Sequence, residues 1–146
     1  MPVHIYPFYK VSDEIKRPWI PVRIVNNKTG DYTDTMALLD TGADHCVFPN
    51  FVAEQCKHNL QHPEFGTEDM QGMGKDKINV SKHGFRIELQ SPDRKQTIWK
   101  SNDMIVGCVE HDNIPAILGF SNFMCHFKIT FNHATNRIIV DTKPTI

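Results

Sequence analysis

The feature that most constrains this chain is an aspartate placed directly at the end of an apolar run, where Ala37-Leu38-Leu39 leads into Asp40-Thr41-Gly42-Ala43-Asp44. A short run of this kind reads as a buried strand. A carboxylate at its end is costly unless its charge is hydrogen-bonded, and Thr41, Gly42 and Ala43 supply a hydroxyl and close backbone amides for that purpose. The plain structural reading is a strand closing in an Asx-type turn. The functional reading is a carboxylate held in one place for chemistry. A four-residue match to Asp-Thr-Gly-Ala arises by accident in a chain of average composition on the order of once in a thousand.

The surrounding sequence is mostly β in pattern. Trp19 to Val25 is β-branched and apolar, and the turn residues Asn26-Asn27-Lys28-Thr29-Gly30 separate it from Tyr32 to Leu39, which predicts a hairpin ending at Asp40. Asn50, following Pro49, is placed to cap a short amphipathic helix over about Phe51 to Leu60. Gly66 to Lys77, centred on Gly72-Met73-Gly74, reads as a mobile loop or hairpin tip. Three β-rich pieces follow, at Phe85 to Leu89, Thr97 to Trp99 and Met104 to Val109, with a turn at Ser91-Pro92-Asp93-Arg94. Ile114 to Gly119 is an apolar run closed by glycine, and Ser121 to Phe127 predicts a brief helix with Phe123, Met124 and Phe127 turned inward. A second hairpin is expected from Lys128 to Phe131 and Arg137 to Val140. No internal repeat or linker appears, so residues 1–146 are read as one domain with an extended arm over about residues 1–16.

Composition narrows the class of function. At 146 residues, 40% apolar and 23% charged, the chain is long enough to form a core without staples. Sixteen Lys and Arg against 17 Asp and Glu leave a net charge of −1, which provides no basic field for nucleic acid or anionic lipid. No apolar run approaches the ~18 residues of a membrane span, and Pro2, Pro7, Asp13 and Glu14 interrupt the segment where a signal peptide needs continuous apolar sequence. A cytoplasmic location is expected. Four cysteines with no C-x-x-C pair are read as reduced thiols. No cofactor is expected.

At Asp40 the sequence resembles the retroviral-type aspartic proteases, or retropepsins, whose signature is two apolar residues followed by Asp-Thr-Gly-Ala. The resemblance covers roughly Arg17 to Phe127. Arg17-Pro18-Trp19-Ile20-Pro21-Val22-Arg23-Ile24 is similar to the strand before the catalytic hairpin, Gly72-Met73-Gly74 to the flap tip, and Ile117-Leu118-Gly119 to the second apolar-apolar-Gly motif that braces the catalytic loop. Cellular and bacterial members are the nearer comparison, since they carry insertions such as the helix after Pro49. The resemblance implies a closed β-barrel of the acid-protease fold, with one or two short helices and one lobe per chain. One departure stands out: viral members usually place an Arg after the second motif to pair with the Asp following Asp-Thr-Gly-Ala, and here Phe120 occupies that position. Asp44 is therefore expected to be exposed or to find another cation, such as Arg17, Lys128 or a histidine.

Metal-free peptide hydrolysis can run on two carboxylates sharing one proton. This chain has one Asp-Thr-Gly, so a working pair needs Asp40 from each of two identical chains on a two-fold axis. The resemblance implies further roles. Thr41 bonds across the dimer axis, Gly42 offers its backbone to a peptide substrate, and the flap closes with Met73 at its tip. Ala43, Asp44, Gly72, Gly74, Ile117, Leu118 and Gly119 complete the expected substrate site, with Ile105 and Val106 beside them. Chain ends of two subunits would interleave through Val3 to Tyr9 and Ile138 to Ile146. The alternative reading is a retropepsin fold that no longer cleaves and serves as a dimerisation or peptide-binding module.

Other sites carry less weight. Cys56-x-His58-x3-His62, with Cys46 or His45 nearby, has the residue types of a zinc site, but Pro63 and the missing second cysteine pair weaken it, and a solvated helix face is expected instead. No metal is assigned. Cys46, close to Asp40, is read as a buried structural cysteine ahead of a redox-sensitive one. Cys125 and His126 are read as packing, not as a nucleophile and its base.

Overall fold

A computed structural model describes residues 2–71 and 77–145. Its strands are β1 (Val3–Pro7), β2 (Tyr9–Lys10), β3 (Lys16–Arg17), β4 (Trp19–Asn26), β5 (Tyr32–Leu39), β6 (Val47–Phe48), β7 (Thr67–Gln71), β8 (Lys77–Gln90), β9 (Thr97–Lys100), β10 (Met104–Cys108), β11 (Ala116–Leu118), β12 (Lys128–Asn132) and β13 (Arg137–Asp141). Helix α1 covers Asn50–Gln55, and a 3-10 turn covers Met124–His126. Among the described residues no helix is long and apolar enough to cross a membrane.

The first hairpin forms as expected. β4 and β5 pair from Trp19↔Leu38 to Val25↔Tyr32, and the turn is closed by Gly30 N–H donating to Asn26 O at 2.9 Å, with Gly30 at φ 81°. That left-handed backbone suits glycine. β8 is longer than its sequence pattern indicated, because 14 residues find partners on several sides: β4, β7, β9 and β10 all pair with it. The order β8-β4-β5-β11-β6-β10 returns to β8 through the antiparallel pair Met104↔Phe85 to Cys108↔Ser81. A six-stranded mixed barrel closes in this way, leaving none of those strands with a free edge within the ring.

The core fills the barrel with Ile20, Val22, Ile24, Ala37, Leu39, Phe48, Phe85, Ile87, Leu89 and Leu118, all nearly inaccessible. Phe48 and Phe85 meet edge to face at 5.0 Å between centroids. The chain ends form a separate three-stranded sheet, β1-β13-β12, with Val3↔Asp141 to Pro7↔Arg137 in register. The arm's partner is thus the C-terminal strand of its own chain. Tyr6 anchors it, fully buried with its hydroxyl donating to Gln90 O at 2.6 Å.

Two local expectations are corrected. α1 ends at Gln55, five residues short of Leu60, because Cys56 is drawn into the core with its thiol donating to Ile24 O, and Lys57 turns the backbone to φ 61°. Asn50 is the first helical residue and not its cap; Phe51 N–H is received by Asp112 Oδ1 at 2.7 Å from a distant loop. The predicted helix at Ser121 to Phe127 shrinks to the 3-10 turn, but Phe123 and Met124 are buried and Phe127 packs against Trp99 at 4.7 Å.

Candidate active site

Asp40 emerges where three strands meet. β11 lies in parallel beside β5, with Ala116↔Ala37, Ile117↔Leu38 and Leu118↔Leu39, and antiparallel to β6 through Ile117↔Val47. The ladder extends one step past β5, since Asp40 N–H donates to Leu118 O at 3.2 Å. The carboxylate is half-buried and accepts Gly42 N–H at Oδ1, 2.9 Å away, while Ala43 N–H donates to Asp40 O at 3.2 Å. The Asx-type turn read from sequence is therefore present, and it fixes the carboxylate's direction.

The second motif braces this loop from below. Phe120 N–H donates to Ala43 O at 2.7 Å and Ser121 N–H to Asp44 O at 2.8 Å. Gly119 lies so close to the loop that a Cβ there would stand 2.4 Å from the His45 carbonyl carbon. Glycine is required by that approach, not by backbone dihedral angles. A further brace was not evident from sequence: Asn122 Oδ1 accepts both Cys46 N–H at 3.1 Å and the Cys46 thiol at 3.2 Å, and Gly119 N–H points to the same sulfur at 3.4 Å. Burial pushes the Cys46 thiol up from 9.0 to about 11, so it is a structural residue beside the loop and not an ionised one.

Thr41, Gly42, Asp44 and His45 are exposed, and Phe120 is 54% exposed beside them. Asp44 is the exposed residue that the missing Arg implied; among the described residues no ion pair involves it. Of the expected wall residues, Ile105 is exposed and Ile117 half-buried, whereas Val106 and Leu118 lie in the core and support the wall from behind. β7 and β8 form a hairpin from Thr67↔Ser81 to Gln71↔Lys77. Gly72, Met73 and Gly74, the residues expected at a flap tip, lie outside the described residues. Among the described residues, cavities of about 370 and 280 Å³ open on the surface, and neither of these is lined by residues 40–44 or 117–119.

The Cys56, His58 and His62 group does not assemble. Cys56 is buried against Ile24, and burial pushes its thiol up to about 12. His62 is solvated as expected, but His58 is not: its side chain turns inward and is 5% exposed.

No protein-family model matches the chain, and no curated protein matches it. Among solved structures, a retropepsin-like aspartic protease from Rickettsia conorii is similar, with a TM-score of 0.62 at 12% sequence identity, over 94% of this chain and 89% of that one. The closed barrel, the strand that brings Asp40 to its loop and this likeness define a single-lobed retropepsin-like fold.

Proposed function

We propose that the chain is an aspartic endopeptidase that works as a homodimer, with Asp40 of each subunit forming the catalytic pair. The observation that carries this reading is the state of Asp40: a half-buried carboxylate, oriented by Gly42 N–H and tied to β11, on a loop whose Thr41 and Gly42 are exposed, with Phe120 exposed beside it. An exposed loop of this kind is half of a site. A second copy facing it would supply the other carboxylate and cover Phe120.

The chemistry then runs on a water held between the pair. The ionised Asp40 takes one proton as the water oxygen attacks the scissile carbonyl carbon, and the protonated Asp40 gives its proton to the carbonyl oxygen. Collapse of the resulting diol moves a proton to the amide nitrogen as the C–N bond breaks, leaving an acid and an amine. Substrate would bind by strand addition as an extended peptide. Thr41 would hold the two loops together, and the hairpin bearing Gly72-Met73-Gly74 would close over the peptide. An additional contact between subunits is available at β1, an edge strand whose Val3 and Ile5 are 43% and 47% exposed.

Cleavage of an extended-peptide library at mildly acid pH tests this, with light scattering at tens of micromolar chain to report the oligomer. Wild type should cleave as a dimer with a bell-shaped pH profile, since two carboxylates sharing a site titrate as a coupled pair. Asp40→Asn should lower the rate by at least about 100-fold with its circular dichroism unchanged. Undiminished cleavage by that variant would refute the assignment. Peptide binding with no cleavage by wild type would favour the alternative, a peptide-binding module.

A further inference from the structure

A second cluster lies away from Asp40, where the segment leaving α1 meets β8. His58 Nε2 is 2.9 Å from Gly84 O, and His58 Nδ1 is 3.1 Å from Glu64 Oε1. His83 Nε2 is 3.0 Å from Ser81 Oγ, and His83 Nδ1 is 3.5 Å from the same Glu64 oxygen. The side chains of His58, Glu64 and His83 are 5%, 16% and 1% exposed, and the two rings lie 4.5 Å apart. Buried His83 Nδ1 has no hydrogen-bond partner.

The donors and acceptors of this cluster leave room for a cation. A carbonyl only accepts, so His58 Nε2 carries the hydrogen bound to Gly84 O, and a neutral ring then turns a bare Nδ1 lone pair toward a carboxylate. Two acceptors 3.1 Å apart repel unless a positive charge lies between them. His83 repeats the arrangement when its Nε2–H donates to Ser81. In its other tautomer His83 accepts Ser81 Oγ–H at Nε2 and turns Nδ1–H toward Glu64, whereas one metal ion meets both Nδ1 atoms and the carboxylate with both rings neutral.

We propose that His58 Nδ1, Glu64 Oε1 and His83 Nδ1 together bind a divalent transition-metal ion, zinc being the first to test. Bonds of about 2.0–2.1 Å in a tetrahedron give ligand separations of roughly 3.3 Å, and the two nitrogen-to-oxygen separations, 3.1 and 3.5 Å, bracket that value. One ligand atom from each of the three residues lies within 4.8 Å of the other two. Two imidazoles and one carboxylate suit zinc and its transition-metal neighbours, whereas magnesium and calcium favour oxygen ligands throughout. The outer contacts also fit: Gly84 O and Ser81 Oγ hold the far ring nitrogens, and Gly84 N–H donates to Glu64 Oε1 at 3.2 Å. Lys28 Nζ occupies the other carboxylate oxygen at 2.6 Å and leaves Oε1 to the metal. The cavity of about 280 Å³ onto which all three side chains open, with His62 at its wall, provides an entry path and room for a fourth ligand. A bound ion would pin the connection between α1 and β7 to the barrel.

Full-length apo protein, prepared with a chelator, should bind one zinc ion per chain in competition with a chromogenic chelator, and should melt at a higher temperature with zinc than without. Glu64→Gln keeps the side chain's shape and its acceptor for Gly84 N–H, and together with His83→Gln it should weaken binding by about 100-fold or more. Circular dichroism of the apo variants checks their folding. Cobalt(II) added to wild type should give the intense visible bands of a four-coordinate ion, a readout that does not depend on any variant. Cys125→Ser should leave binding unchanged, since Cys125 is the exposed thiol. Absence of stoichiometric zinc binding, unchanged affinity in a folded Glu64→Gln/His83→Gln protein, a pale six-coordinate cobalt spectrum, or loss of binding in Cys125→Ser would each overturn the proposal.

Discussion

Gly119→Ala should be among the most destabilising single-methyl changes in this chain, at about 3 kcal/mol. An ideal Cβ at Gly119 would lie 2.4 Å from the His45 carbonyl carbon, 2.6 Å from its Cα and 2.7 Å from Cys46 N. Ordinary contact begins near 3.4 Å, so the facing backbone must retreat by roughly 1 Å. All three atoms are main chain and have no rotamer to escape into. Cys46 is further held by Asn122 through both its amide and its thiol. Overpacking of a tight site costs typically 1–3 kcal/mol, and a rigid backbone neighbour places this one at the upper end of that range, roughly 3 kcal/mol. With a urea slope of about 2 kcal/mol/M, the unfolding midpoint should fall by about 1.5 M. Gly42→Ala is the control, because its Cβ would meet only the Asp40 carboxylate oxygen, at 3.3 Å; it should cost less than about 1 kcal/mol. Equal midpoints for the two variants, or a loss below ~0.5 kcal/mol for Gly119→Ala, would show that the loop gives way more easily than its contacts imply.

Alkaline pH should destabilise the fold through its buried thiols. Cys46 ionises near 9.0 when exposed and at about 11 in the folded chain, so between those values the unfolded state has released a proton that the native state retains, and stability falls as pH rises from 9 to 11. The urea midpoint measured across that range should drop, and should drop less in Cys46→Ala. Asp112→Ala removes the acceptor for Phe51 N–H and should cost about 1 kcal/mol, read as a fall in melting temperature of roughly 2–4 °C. Asn50→Ala should cost less, because the Asn50 side chain binds Glu54 and no backbone amide of the helix.

What was legible in the sequence was local. The β4–β5 and β12–β13 hairpins follow from apolar strands flanking turn residues, and the Asp40 turn is fixed by its immediate neighbours. What was hidden depends on pairing between distant segments. β6 consists of Val47 and Phe48 alone, too short to show a period, yet it joins β11 to β10 in the ring. The arm read as extended, but its partner is some 130 residues away in β13, which no local pattern encodes. Helix α1 read as longer because Cys56 and Leu60 continue its apolar spacing; Cys56 is instead buried by a contact to β4 after the helix has ended. The same limit applied to His58, whose partners Glu64 and His83 sit in a loop and in β8.

The two candidate sites sit at opposite ends of one hairpin. Lys28, which touches Glu64, belongs to the turn before β5, and Asp40 follows its last residue. Eight residues of strand separate those ends by roughly 25 Å. They also differ in completeness. The histidine–glutamate cluster draws all its ligand atoms from one chain, so its occupancy should depend on metal concentration and not on chain concentration. On the proposed reading each chain brings one Asp40 to the catalytic pair, so cleavage should disappear on dilution as subunits separate, while the metal site stays filled. A common dependence on dilution would mean that the two sites are coupled through assembly, and the barrel between them would then be the element that carries the coupling.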